Sequence, residues 1–163
     1  MLYYETIEPT TLGLLKQLQD IPLLSKTRLV GGTSLALQIG HRKSIDIDLF
    51  GKIECEQYEL VDALSDLGQL SILKESKNIH VYQLNGVKLD IVNYKYPWIK
   101  PVVIEDNLRL ADIKDIAAMK ITAIIGRGTK KDFTDLAFLL DILSLDEILS
   151  SYETKYPEAS RFL

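Results

Sequence analysis

Two aspartates, Asp46 and Asp48, stand two residues apart in the run Ser44-Ile45-Asp46-Ile47-Asp48-Leu49-Phe50 of this 163-residue chain. Apolar residues alternate with them, which reads as a β-strand, and strand side chains alternate between faces. Both carboxylates therefore project to one side, while Ile45, Ile47 and Leu49 take the other and can be buried. Carboxylates held a few ångströms apart repel one another, and burial strengthens the conflict. A divalent cation relieves it, and hard Mg²⁺ prefers carboxylate oxygen. Upstream, Leu29-Val30 runs into Gly31-Gly32-Thr33-Ser34, which reads as a strand, a glycine turn and a helix start. Such a turn offers backbone N–H groups to an anion with no Cβ in the way. A phosphate cradle beside a metal-binding carboxylate pair implies phosphoryl or nucleotidyl transfer. Taken singly, the same features also describe a solvated strand face, a tight turn and a helix cap.

Further along, Asp90 lies among Leu89, Ile91 and Val92. A lone carboxylate in an apolar strand is costly unless it is paired, metal-bound or turned to water. It is either an edge residue facing solvent or a third acid delivered opposite Asp46 and Asp48. Lys120 interrupts an apolar helical stripe of Ile113, Ile116, Ala117, Ile121 and Ile124. Its ammonium either snorkels to the surface or points into the cleft against a phosphate. Arg127, Lys131, Asp132 and Asp135 follow closely, with Asp132 and Asp135 on one helical face and Lys131 within reach of Asp135 at i,i+4. They form a structural charge network, contact a substrate, or do both.

The elements that must position these groups are legible in outline. Thr10 or Thr11 caps a helix to about Gln19, with Leu12, Leu15 and Leu18 on one stripe, and Pro22 closes it. A strand at 28–30 precedes the glycine turn, and residues 34–39 form a short helix that Gly40 ends. Residues 56–67 carry the next helix, with Tyr58, Leu60, Val61, Leu64 and Leu67 at helical spacing and Gly68 as its stop. From 70 to 94 the pattern is period-two, and Asn85-Gly86 marks a hairpin between 81–84 and 87–92. Residues 96–107, with Pro97, Trp98 and Pro101, read as a loop or extended crossing in which Trp98 is a buried plug or a base-stacking ring. Asp112 and Asp115 suggest a capping arrangement for the following helix. Thr129 caps a helix over 130–143 whose core stripe is Phe133, Leu136, Ala137, Leu140 and Leu143. Ser144 and Glu147 form a capping box for a last helix to about 155.

The whole therefore reads as one α/β (α+β) domain over 1–163: a small mixed sheet flanked by helices, with a core of about 28–94 and a helical C-terminal part of about 112–155. No apolar run approaches the roughly 18–20 residues a membrane helix needs. Met1-Leu2-Tyr3-Tyr4-Glu5 lacks the basic and apolar regions of a signal peptide, and the single Cys55 points to a reducing, cytoplasmic setting. A net charge of −4 argues against wrapping of nucleic acid by the whole surface, though not against a local basic patch.

The run from Gly31 to Phe50 resembles the signature of the DNA polymerase-β-like nucleotidyltransferase superfamily: a Gly-Gly or Gly-Ser pair followed by Asp-x-Asp on a strand. Within it, 40–50 and the run Lys120 to Leu136, with its Lys-Asp-x-x-Asp-Leu, resemble the AbiEii/AbiGii toxin family. The resemblance implies that Gly31, Gly32 and Thr33 bind nucleotide phosphates, with Arg42 and Lys131 offsetting their charge. It implies that Asp46, Asp48 and Asp90 hold Mg²⁺, with Mn²⁺ as the alternative, and that Lys120 belongs to the catalytic set. His41, Ser44, Arg127, Asp132 and Asp135 would support these groups from behind. The implied reaction is transfer of a nucleoside monophosphate from an NTP to an acceptor hydroxyl, with tRNA or another RNA as acceptor and a cognate antitoxin as partner. A small-molecule acceptor and a non-catalytic nucleotide- or metal-binding module are the competing readings.

Overall fold

The computed structural model describes residues 1–158. Among them are six α-helices and seven strands: α1 (Pro9–Gln19), β1 (Thr27–Val30), α2 (Gly31–Ile39), β2 (Ile47–Gly51), α3 (Gln57–Ser65), β3 (Leu70–Glu75), β4 (Ile79–Leu84), β5 (Val87–Asn93), β6 (Val103–Glu105), β7 (Leu108–Leu110), α4 (Ile113–Gly126), α5 (Lys130–Leu139) and α6 (Leu145–Lys155). The strands form one mixed sheet in the order β3-β4-β5-β2-β1-β7-β6. β2 runs antiparallel to β1 and parallel to β5, and the β2–β5 register sets Asp48 directly against Asp90.

Alternation along the central strands splits the apolar residues into two layers. Leu29, Ile47, Leu49, Leu89 and Ile91 join α1 and α3 on one side, through Leu15, Leu18, Leu60 and Leu64. Val30 and Leu35 join α4, α5 and α6 on the other, through Ile116, Ala117, Leu139, Ile148 and Tyr152. Asp48 and Asp90 alternate with the first set, so they face the second side, under α4 and α6. The α/β architecture with a mixed sheet is as the sequence predicts, and Asn85-Gly86 makes the β4–β5 turn, with both residues at positive φ.

Several local expectations are corrected. β2 begins at Ile47, so Asp46 is the last residue before the strand, and Ile45 is 61% exposed rather than buried. α2 starts at Gly31 itself, directly from β1, with no intervening turn. Tyr58 of α3 is exposed. Asp112 caps α4 by accepting from the Lys114 N–H, but Asp115 does not complete a box. It is buried, and accepts from the backbone N–H groups of Ile99 and Lys100 and from Lys155 Nζ at 2.9 Å. The stretch read as a loop contains β6, and β7 adds a short parallel pairing with β1.

The largest correction concerns α5. It ends at Leu139, and Phe133, Ala137 and Leu140 are exposed instead of forming a core stripe. Its inward face carries Asp132, Asp135 and Leu139. Buried carboxylates are tolerated only when well paired, and four cationic or polar side chains from other elements supply the pairing. No helix among the described residues is long and apolar enough to cross a membrane.

Candidate active site

The site is assembled where the C-terminal end of β1 meets the start of α2 and the facing acids of β2 and β5. Asp46, Asp48 and Asp90 line one polar chamber of about 430 Å³, together with Gly32, Thr33, Arg42 and Lys120. The edge-strand alternative for Asp90 is excluded, because β5 lies between β4 and β2 inside the sheet. Burial, then the charges of Asp90 and Asp46, push the Asp48 carboxyl up to about 7. Burial also raises Asp90, partly offset by the Lys88 ammonium 3.6 Å from its Oδ1. That oxygen is buried and has no hydrogen-bond partner. Among the described residues, no three His, Cys, Asp or Glu side chains are already gathered into a metal-holding group.

The diglycine is required by protein neighbours as much as by any ligand. Gly31 has φ +72°, and a Cβ there would lie 2.3 Å from Asp48 Oδ2. A Cβ on Gly32 would lie 2.1 Å from Arg42 Nη2. The glycines thus let the α2 backbone close on the Asp48 carboxylate and on the Arg42 guanidinium. No side chain caps α2, so its first-turn N–H groups remain available to an anion. Thr33 is buried, and its hydroxyl is hydrogen-bonded to Ser44 Oγ and to the carbonyl of Asp46. It and Ser44 therefore fix the approach to β2 and the placement of Asp46.

Behind the acids lies a charge network centred on α5. Asp135 accepts from Arg42 through both Nε (2.7 Å) and Nη2 (3.0 Å), and from His41 Nε2 at 2.6 Å. Lys120 Nζ, 5% exposed as a residue, lies 2.9 Å from Asp135 and 3.1 Å from Asp132. Arg127 grips Asp132 through two nitrogens at 2.9 Å, and Thr129 and Asp132 form the capping box of α5. Hydrogen bonds from Arg127, Thr129 and Lys120 hold the Asp132 carboxyl far below the usual range. Burial opposes ionisation of Asp135, but His41, Arg42 and Lys120 outweigh it and hold that carboxyl far below the range too. Lys131 is exposed on the chamber rim, and the partners of Asp135 are His41, Arg42 and Lys120 instead.

Sequence reading missed Lys88 and Lys130, which also line the chamber. Lys88 was visible in principle, since it sits two residues before Asp90 on the same strand face. It also missed a second chamber of about 470 Å³ that shares Asp48, Asp90, Lys120 and Arg127 with the first. Its walls are apolar and aromatic, including Phe50, Tyr94, Tyr96, Tyr152 and Tyr156. Trp98 is half-buried against the second apolar layer, and Lys155 Nζ and the Arg28 guanidinium each lie 4.4 Å from its ring centre.

The sequence profile of the nucleotidyl transferase AbiEii toxin family, of type IV toxin–antitoxin systems, matches residues 13–158. An uncharacterized protein of Aquifex aeolicus is 34% identical over 130 residues, covering 77% of this chain. The match spans 63% of that relative's own length, less than two-thirds of it. The antibiotic-resistance factor ANT(2'')-Ia superposes with a TM-score of 0.68 at 13% identity, over 93% of this chain and 95% of its own. JHP933 from Helicobacter pylori superposes with a TM-score of 0.59 at 20% identity, covering 93% of this chain and 80% of its own. At these identities the two structures bear on the fold.

Proposed function

The chain belongs to the nucleotidyl transferase AbiEii toxin family, and from that premise we propose that it transfers a nucleoside monophosphate from an NTP to an acceptor hydroxyl. The observation that carries the reading is that Asp46, Asp48 and Asp90 line one polar chamber beside the uncapped N-terminus of α2. A divalent cation fits this donor set. Asp90 keeps a buried oxygen without a hydrogen-bond partner, and Asp48 sits at about 7 for lack of a nearby positive charge large enough to offset burial and its neighbours. Asp46, Asp48 and Asp90 would hold Mg²⁺, which when bound lowers the acceptor hydroxyl's pKa and neutralises charge on the phosphates.

The chain's own groups do the rest. The first-turn N–H groups of Gly31, Gly32 and Thr33 hold non-bridging phosphate oxygens. Lys88, Lys130 and Lys131 on the chamber wall, with Arg42 and Lys120, offset the charge of the polyphosphate and of the departing pyrophosphate. As the acceptor oxygen bonds to the α-phosphorus and the bond to pyrophosphate breaks, the acceptor's proton passes to the other carboxylate oxygen of Asp90, Oδ2. Asp132 and Asp135 are positioning residues: they fix Lys120, Arg127, Arg42 and His41 at the chamber's back wall.

An RNA acceptor suits this site better than a polycationic antibiotic. The acids of the chamber are outnumbered by its lysines and arginines, so a polyanion is favoured and a polyamine repelled. We place the chain in the cytoplasm as the toxin of a pair with a cognate antitoxin, acting as one folded unit. Incubation with each α-labelled NTP, Mg²⁺ and total tRNA tests the reading. Labelled RNA that disappears with Asp46→Ala supports it. Mg²⁺-dependent NTP binding with no labelled product, on RNA or on small hydroxylated acceptors, would instead identify a binding module.

A further inference from the structure

α5 turns its acids inward and leaves an apolar stripe outside. Phe133, Ala137 and Leu140 follow one another at i, i+4 and i+7, the spacing of a helix face that packs against another helix. Phe133 is 53% exposed and Leu140 43%, and Ala137 between them is exposed too. We propose that this face is covered by the same face of a second copy of the chain, in a two-fold dimer whose α5 helices run antiparallel. The dimer does not depend on the reaction proposed above.

The stripe is complementary to itself in shape. A two-fold axis passing between positions 136 and 137 sets Phe133 of each copy level with Leu140 of the other. The small Ala137 side chains then lie beside the axis, where helices about 8–10 Å apart tolerate least bulk.

It is complementary to itself in charge as well. The helical path continues past Leu139 far enough to carry Asp141, whose N–H bonds to the Phe138 carbonyl, while the Leu143 N–H bonds to that of Leu139. At 3.6 residues per turn, Lys130 and Asp141 fall on the same flank of the stripe, near its opposite ends. In the antiparallel pair, Asp141 of one copy stands within about two residues, roughly 3 Å along the axis, of Lys130 of the other. Symmetry makes that contact twice. Neither side chain has an ion-pair partner among the described residues. A parallel pair would instead oppose lysine to lysine and aspartate to aspartate.

The area suffices. The Phe133 ring leans on the turn between α4 and α5, 3.5 Å from where a Cβ on Gly128 would lie. Ile125 at the end of α4 is exposed, as are Ile142 and Leu145 beyond α5. With Phe133 and Leu140 these present on the order of 500 Å² of apolar surface, which a charged rim extends towards the roughly 800 Å² per partner of a stable dimer. The sheet edge at β3 is a poorer candidate: its pairing with β4 is irregular between Ile72 and Lys74, and a kinked, lysine-bearing edge resists strand addition.

Sedimentation equilibrium and light scattering of the full chain, from about 1 to 100 µM, test the dimer. The wild type should be dimeric by about 50 µM. Ala137→Glu puts like charges beside the axis while keeping a good helix former at an exposed position. It should be monomeric throughout, with the circular dichroism of the wild type. Phe133→Ser should weaken association by about ten-fold or more. Asp141→Lys should weaken it by at least about three-fold and reduce its sensitivity to salt. If Ala137→Glu is unfolded, the other two variants decide. A wild type that stays monomeric at about 100 µM overturns the proposal and leaves the stripe to a different protein. A dimer that the variants leave intact lies on another face and overturns it equally. Assemblies that grow beyond two copies contradict the closed two-fold arrangement.

Discussion

At the scale of single residues, Asp48 concentrates the tension of the site. Its native carboxyl titrates at about 7, well above an ordinary aspartate, because burial and two neighbouring acids penalise the charge. The unfolded chain ionises near the ordinary value, so the metal-free native state binds the extra proton between those limits. Its stability therefore falls as pH rises from about 4 towards 7. Asp48→Asn should melt higher than wild type in EDTA, by more at pH 8 than at pH 5, and should lose RNA labelling. A melting difference that does not grow with pH would contradict the assignment. The same carboxylate makes Gly31 irreplaceable. Gly31→Ala meets both a positive φ and the Asp48 oxygen, so it should cost about 1–3 kcal/mol in chemical denaturation and abolish NTP binding.

At the scale of elements, α5 holds the back wall in place through its acids rather than through an apolar stripe. Asp135→Asn leaves Lys120, Arg42 and His41 competing for a weaker acceptor in a buried setting. A loss of about 3–5 kcal/mol in denaturant unfolding is expected, with weaker NTP binding. The depressed carboxyls of Asp132 and Asp135 contribute stability that is fully present above about pH 4 and lost as pH falls below it. Acid titration of the melting temperature should show that loss in wild type and only the part owed to Asp132 in Asp135→Asn. This helix also marks the limit of what the sequence discloses. The facing of Asp48 and Asp90 was legible because strand alternation and a hairpin signal fix it, whereas Asp46, just ahead of β2, is placed by Thr33 and Ser44 instead. The cap at Thr129 was legible as well, but Lys120, read as either snorkelling or facing a phosphate, instead pairs with Asp132 and Asp135. The inward face of α5 was not, because a helical pattern read for burial assigns Phe133, Ala137 and Leu140 to the core. Only partners remote in sequence, Arg42 and His41 on the approach to β2, make buried acids the better solution. The aromatic chamber escaped for a similar reason, since Phe50, Tyr94 and Tyr152 come from three distant segments.

At the scale of the whole molecule, two apolar layers sandwich the sheet, and α6 closes the layer that covers the site. Its C-terminal residue, Lys155, is fully buried and bonds to Asp115 and to the carbonyl of Pro97. Lys155→Met keeps the aliphatic stem but strands the Asp115 carboxylate. A fall of roughly 10 °C in Tm is expected, with the aromatic chamber opened and NTP binding weakened. The same lysine sits over the face of Trp98, the chain's one tryptophan, with Arg28 over the ring as well. An indole in contact with two cations, and neighbour to a chamber tyrosine, is a native optical gauge. Its emission should shift to the red when the last helix lifts off, which lets one follow that closure in unlabelled protein, in real time.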